Sequence, residues 1–130
     1  MINVVNKYHI YPLNTDFDIS RNSVLGNPYT HLDDSKGFVK VDTRKIAVES
    51  YSSYINDIIS NKQNIDHLLK KYNWLTERMI YQIINMLNCI YRKAILSDIR
   101  LVCYCKPASC HGDIIKELVE NKIKILIKNN

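Results

Sequence analysis

Residues 103–113 read CYCKPASCHGD and bring three of the four cysteines together with a histidine and an aspartate. The apolar residues 99–105 predict a central strand, and residues 110–121 predict an amphipathic helix. Ligands of open α/β sheets bind at the carboxyl ends of strands, and a helix N-terminus attracts anions. The segment therefore predicts an anion-binding corner. There Gly112 permits close approach, and Asp113 either bonds ligand hydroxyls or caps the helix.

The cysteines of this segment admit three interpretations. Cys103, Cys105, Cys110 and His111 match the ligand number of a structural zinc site, although the usual paired spacing is missing. Cys105 or Cys110 could instead be a nucleophile, since a thiol near a helix N-terminus ionises readily, but no third group can be assigned to orient it. We favour packing cysteines beside a ligand site, with His111 as a hydrogen-bonding wall. We accordingly predict no cofactor, with zinc as the alternative.

A second informative stretch, residues 18–29, holds the turn Gly26-Asn27-Pro28. The Asn27 amide has both donors and acceptors, as recognition of a base or a ribose requires. Arg21 can hold a phosphate in fork geometry, and Arg44, near a helix start, is a second candidate phosphate ligand.

The elements that position these residues follow from periodicity and turn chemistry. The predicted elements are strands at 2–5, 38–41, 99–105 and 123–128, helices at about 43–59, 64–69, 75–96 and 110–121, and a loop over 8–31. In the last strand, isoleucines alternate with lysines at a sheet edge. The order predicts a single α/β domain over residues 1–130, with a small, mostly parallel sheet flanked by helices in Rossmann-like layering and an extra helical segment at about 60–96.

Composition narrows the class of protein. The chain has 130 residues, 46% hydrophobic and 24% charged, which is ordinary for one folded domain. The apolar runs are too short for a membrane span, and the N-terminus lacks a secretion pattern, so we expect a cytoplasmic protein with no membrane partner. A formal charge of +5 favours an anionic partner. The lysines are scattered, so a small ligand is favoured over nucleic acid, and homo-oligomerisation stays open.

Several of these motifs occur in the same order in one known family. The set is Val4-Val5-Asn6, Arg21, Gly26-Asn27-Pro28-Tyr29, Thr43-Arg44 leading to Tyr51, and Cys103-x-Cys105 with Cys110-His111-Gly112-Asp113. It resembles an uncharacterised domain-of-unknown-function family of bacteria and their phages. That family carries a W-G-N-P-[FY] turn, a T-R-x-x-A helix start and a C-W-C-x-P-x-x-C-H-[GA]-[DE] element. Leu25 and Tyr104 stand where the family usually has tryptophan, and the helical stretch 60–96 is longer than expected.

The resemblance implies that the shared polar residues form one site, but it implies no activity. We predict that a small nucleotide-derived anion binds between the Gly26-Asn27-Pro28 turn and the helix that begins at Cys110. Arg21 and Arg44 would contact phosphates, whereas Asn6, Asn27 and Asp113 would contact sugar or base.

A phage origin would fit a protein that sequesters a host signalling nucleotide in the host cytoplasm, an anti-defence role. One alternative is an enzyme acting on the glycosidic bond or phosphate of a nucleotide, through Asp113, His111 or a cysteine. A second alternative is a zinc-stabilised module that binds nucleic acid or protein.

Overall fold

The computed structural model describes residues 1–33 and 38–129 and has the predicted α/β architecture. The strands are β1 (Ile2–Asn6), β2 (Asp16–Asp18), β3 (Tyr29–Thr30), β4 (Val39–Lys40) and β5 (Ile99–Cys103). The helices are α1 (Arg44–Ser60), α2 (Ile65–Lys71), α3 (Glu77–Leu96) and α4 (His111–Lys128), and a short 3-10 helix covers Lys7–His9.

The main sheet has three parallel strands in the order β1-β5-β2. Strand β5 lies in the centre because all its side chains but that of Arg100 are apolar, and Ile99 and Leu101 are fully buried. The edge strand β2 falls inside the stretch that the sequence predicts as loop. It is held to β5 by Arg100, whose guanidinium donates to both carboxylate oxygens of Asp16 at 2.7 and 2.9 Å. Because the three strands are parallel, their carboxyl ends all lie on the same side of the sheet.

The predicted strand at 38–41 does not join the main sheet. Its central residues form β4, which pairs in parallel with β3 in a separate two-stranded ladder, with Tyr29 opposite Val39. This ladder is anchored to α1, since β3 packs against that helix. The small ladder thereby fixes the segment that follows the Gly26-Asn27-Pro28 turn.

Helices α1, α2 and α3 confirm the predicted helical segments. Thr43 caps α1 by accepting the amide of Ile46 at 3.1 Å, and Thr76 caps α3 by accepting the amide of Met79 at 3.2 Å. The buried faces of α1 and α3 repeat at the helical period and meet in one core. No described helix has the length and apolar character needed to span a bilayer.

Helix α4 is longer than the sequence predicts. It runs without interruption to Lys128, so the predicted termination at Asn121 and the final strand at 123–128 are both wrong. The helix continues because lysine and leucine are good helix formers and neither glycine nor proline interrupts the segment. The burial of α4 changes along its length. Val119 is buried, whereas Ile125 and Ile127 are 61% and 68% exposed. Cys89, which stands within the apolar helical pattern of α3, is exposed.

Candidate functional site

A cleft of about 780 Å³ opens at the carboxyl edge of the main sheet. Its walls come from the segments that follow β1, β2 and β5 and from the first turns of α1 and α4. The lining residues are Tyr8, Ser20, Arg21, Asn22, Asn27, Tyr29, Thr30, His31, Leu32, Asp33, Arg44, Ala47, Val48, Tyr104, Cys105, Ser109, Cys110 and His111. The volume lies within the range of sites that hold cofactors and small ligands.

The cleft brings together about half of the residues that the sequence singled out. Those that line it are Arg21, Asn27, Arg44, Cys105, Cys110 and His111. The other predicted site residues do not line the cleft, namely Asn6, Gly26, Pro28, Gly112 and Asp113.

Arg21 is held rigidly at the cleft. Its Nε donates to the carbonyl of Asn27 and its Nη2 to the carbonyl of Tyr29, both at 3.0 Å. The remaining nitrogen, Nη1, has no acceptor among residues 1–33 and 38–129. Partial burial lowers the pKa of the guanidinium, which still stays charged at neutral pH. The turn itself requires Gly26, since a Cβ there would lie 2.6 Å from the Arg21 Cα.

The Asn27 side chain ties the turn to α1. Its Nδ2 donates to the carbonyl of Ala47 at 3.1 Å, and its Oδ1 accepts the amide of Tyr29 at 2.9 Å. The Tyr51 hydroxyl reinforces this link by donating to the carbonyl of Leu25 at 2.7 Å. Asn27 therefore positions Arg21, and its own polar atoms already have partners in the protein.

Asn6 and Asp113 shape the turn between β5 and α4. The Asn6 Nδ2 donates to the carbonyl of Lys106 at 2.7 Å. Asp113 accepts from Lys106 Nζ at 2.6 Å and from the amide of Cys110 at 3.2 Å. Of the two roles weighed for Asp113, the geometry favours capping, because its carboxylate completes the first turn of α4.

His111 forms part of the cleft wall but is turned inward. Its Nε2–H donates to the carbonyl of Ile19, and its ring meets Tyr51 edge-on with the centroids 4.9 Å apart. Burial lowers the pKa of the imidazole to about 4, so the ring is neutral at pH 7. The adjoining Gly112 allows α4 to approach the sheet, since a Cβ there would lie 2.7 Å from Val4 Cγ1.

The sulfurs of Cys103 and Cys110 lie 3.6 Å apart, and both side chains are buried. Because the Cys110 thiol donates to the Cys103 sulfur, it lowers the pKa of Cys103 to about 6, and the same contact raises the pKa of Cys110. Within the described residues, no group of three or more His, Cys, Asp or Glu side chains converges on a metal position. The alternative set of four zinc ligands is therefore not assembled, since the His111 Nε2 bonds Ile19.

The sequence did not predict that two tyrosines, Tyr8 and Tyr104, lie side by side at the opening of the cleft. The rings of Tyr8 and Tyr104 lie 5.3 Å apart, and Lys7 Nζ is 5.7 Å from the Tyr104 centroid. The signal was present, because Tyr8 follows β1 just as Tyr104 follows β5, and parallel strands end at one edge. The sequence predicts both of these strands but not that they pair side by side, so it did not show that the two loops meet.

The electrostatic character of the cleft is set by its two helix starts. Arg44 is the first residue of α1 and His111 the first of α4, and both line the cleft. The positive ends of two helix dipoles therefore adjoin the same space as two guanidinium groups. Such a combination stabilises a bound anion.

Comparison with known proteins gives one match. No curated protein and no solved structure matches the chain with significant similarity. The family model described as "Domain of unknown function (DUF4326)" matches residues 3–121, which include every lining residue of the cleft. The match ends within α4, before the exposed end of that helix. On this evidence the chain belongs to the DUF4326 family.

Proposed function

We propose that the cleft binds a small nucleotide-derived anion and holds it unchanged. The observation that carries this proposal is the placement of Arg21 and Arg44 in one cleft, beside the first turns of α1 and α4. Neither arginine pairs with a carboxylate in the part of the chain that the structure describes. Guanidinium groups in such a setting offer forked donors to a phosphate.

The rest of the cleft suits a nucleoside. Tyr8 and Tyr104 are exposed at its mouth, where they offer π-faces on which a base can stack. Ser109 and Thr30 bring hydroxyl-bearing side chains to the lining, where ribose hydroxyls could find partners. We therefore place the phosphate at the arginines and the base toward the tyrosines.

Holding is favoured over turnover because His111, Asp113 and Cys110 are engaged within the protein. His111 donates to Ile19, Asp113 bonds Lys106 and the amide of Cys110, and the Cys110 thiol donates to Cys103. A general base has to reach the proton that it removes, and these geometries direct the groups inward. Sequestration of a signalling nucleotide, as by a phage protein, is the role that fits a cleft of this kind.

A panel experiment separates binding from catalysis. The full chain is incubated with nucleoside mono-, di- and triphosphates and with cyclic dinucleotides, and bound species are detected by native mass spectrometry. After denaturation, the released ligand is compared with the input by chromatography. We expect one class to bind and to be recovered intact. Conversion to a new nucleotide would contradict holding, and the absence of binding by any class would contradict the proposal as a whole.

A further inference from the structure

The Cys103–Cys110 pair stands at the two ends of the β5–α4 turn. Cys103 is the last residue of β5, and Cys110 immediately precedes α4. Their sulfurs are 3.6 Å apart, so they need to approach to about 2 Å to bond. The turn between them carries Tyr104, Cys105 and Ser109, all of which line the cleft.

We propose that Cys103 and Cys110 form a thiol pair that a peroxide oxidises to a reversible disulfide. Both side chains are buried, with Cys103 1% and Cys110 2% exposed, and Cys110 is part of the cleft wall, so a small oxidant reaches the pair from the cleft past Cys110. The proposal does not depend on what the cleft binds. Its structural consequence is that the β5–α4 turn becomes a closed ring.

The surroundings favour Cys103 as the attacking sulfur. The Cys110 thiol, the backbone amides of Cys105 and Lys106, and the Lys106 ammonium all lower the pKa of Cys103. The thiolate is the reactive form of cysteine, so these neighbours prepare it for attack. Lys106 is itself fixed in place by Asp113.

The chemistry balances with hydrogen peroxide as the oxidant. Cys103 first releases its proton, the resulting thiolate attacks one peroxide oxygen, the O–O bond breaks, and the leaving hydroxide takes up the released proton to form water. The Cys110 sulfur then attacks the resulting sulfenic acid, the S–OH bond breaks, and a second water leaves with the Cys110 proton. The net change is two thiols and one peroxide to one disulfide and two waters.

The test maps the oxidised bond in the wild-type chain. Reduced protein is treated with limiting hydrogen peroxide, the remaining thiols are alkylated, and the protein is digested with trypsin. Because Pro107 follows Lys106, trypsin leaves residues 101–116 as one peptide that holds three cysteines. We expect this peptide to lose two hydrogen atoms, to carry alkylation on Cys105 alone, and to recover after dithiothreitol.

Several results would overturn the proposal. They are alkylation of both Cys103 and Cys110 after treatment, a bond that involves Cys105, or over-oxidation of Cys103 without a crosslink. The Cys89→Ser variant serves as the control, because Cys89 is exposed on α3 and is the site where bonds between two chains would form. In Cys110→Ser we expect the sulfenic acid at Cys103 to persist and to be trapped by dimedone, whereas labelling of Cys105 instead would contradict the assignment.

Discussion

The two walls of the cleft differ in how their polar side chains are bonded. On one side, the β5–α4 wall (Cys105, Ser109, Cys110 and His111) contains His111 and Cys110, which are bonded into the protein. On the other, the arginine wall (Arg21 and Arg44) keeps guanidinium nitrogens that have no partner in residues 1–33 and 38–129. This contrast in bonding leads us to expect a ligand at the arginine wall. It predicts that ligand affinity depends on the arginine wall and that stability depends on the β5–α4 wall.

The largest effect expected is on affinity at the arginine wall. Arg44→Ala removes a guanidinium that makes no hydrogen bond within the described residues, so it should weaken binding of the best ligand of the panel about 10- to 100-fold. Arg21→Ala should have at least the same effect, and Arg21→Lys an intermediate one, because lysine lacks the fork. Titration calorimetry measures these affinities.

Two controls accompany these variants. Arg78→Ala removes an exposed arginine in the first turn of α3 and should leave affinity unchanged. Thermal unfolding of Arg21→Ala reports whether loss of the bonds to Asn27 and Tyr29 loosens the turn. If Arg44→Ala and Arg78→Ala both bound the ligand as tightly as wild type, ligand affinity would not depend on Arg44 of the arginine wall, which would contradict the expected difference between the walls.

The next effect concerns stability at the β5–α4 wall. The pKa of His111 is about 4 in the folded chain and about 6.5 when unfolded, so the unfolded state binds the proton more tightly. Stability is therefore full above about pH 6.5 and falls as the pH is lowered toward 4, by about 2 kcal/mol between pH 7 and 4.5. Urea unfolding at a series of pH values measures this change.

The matched variant is His111→Gln, which keeps an N–H donor but does not titrate. We expect its stability to vary much less over the same pH interval. Carboxyl groups interfere little, since a cation partner lowers the pKa of those such as Asp16, which titrates below this window. A wild-type curve that is flat between pH 7 and 4.5 would show that the ring is not held neutral by burial.

The smallest effect separates capping from ligand binding at Asp113. Asp113→Asn weakens the cap of α4 and the bond to Lys106, so we expect a loss of about 1 kcal/mol in the free energy of unfolding. Ligand affinity should change less than twofold, because the carboxylate faces the turn and not the cleft. Glu117→Gln, exposed on the same helix, is the control for a lost charge. A large loss of affinity with unchanged stability would place Asp113 in the site after all.

The sequence predicted those parts of the fold that depend on local signals. Thr43 and Thr76 mark the starts of α1 and α3, and the apolar run of residues 99–103 marks the central strand. Strand β2 escaped prediction because it has three residues and exists only through pairing with β5. The end of α4 was predicted wrongly because alternating isoleucines and lysines also fit an edge strand. With no glycine or proline in the segment, its backbone instead continues the hydrogen bonds of the helix.

The site was predicted at the level of residue types but not of roles. The rule that ligands bind at the carboxyl ends of parallel strands pointed to the corner where the structure has a cleft, and Arg21, Arg44 and His111 of the predicted site all line that cleft. It could not show that the Asn27 side chain bonds to backbone atoms, or that the Asp113 carboxylate bonds to Lys106 and to a backbone amide. Those roles depend on contacts between segments far apart in the chain, which one sequence does not reveal.

Chemical-shift mapping tests whether the anion lies between the arginine wall and the first turn of α4. Isotopically labelled protein is titrated with the nucleotide that binds best in the panel, and amide shifts are followed by NMR. The account predicts that the largest changes fall on Arg21, Tyr29, Arg44, Cys105 and His111. Changes concentrated on the lysine-rich end of α4, from Lys122 to Lys128, would show general charge attraction and contradict it.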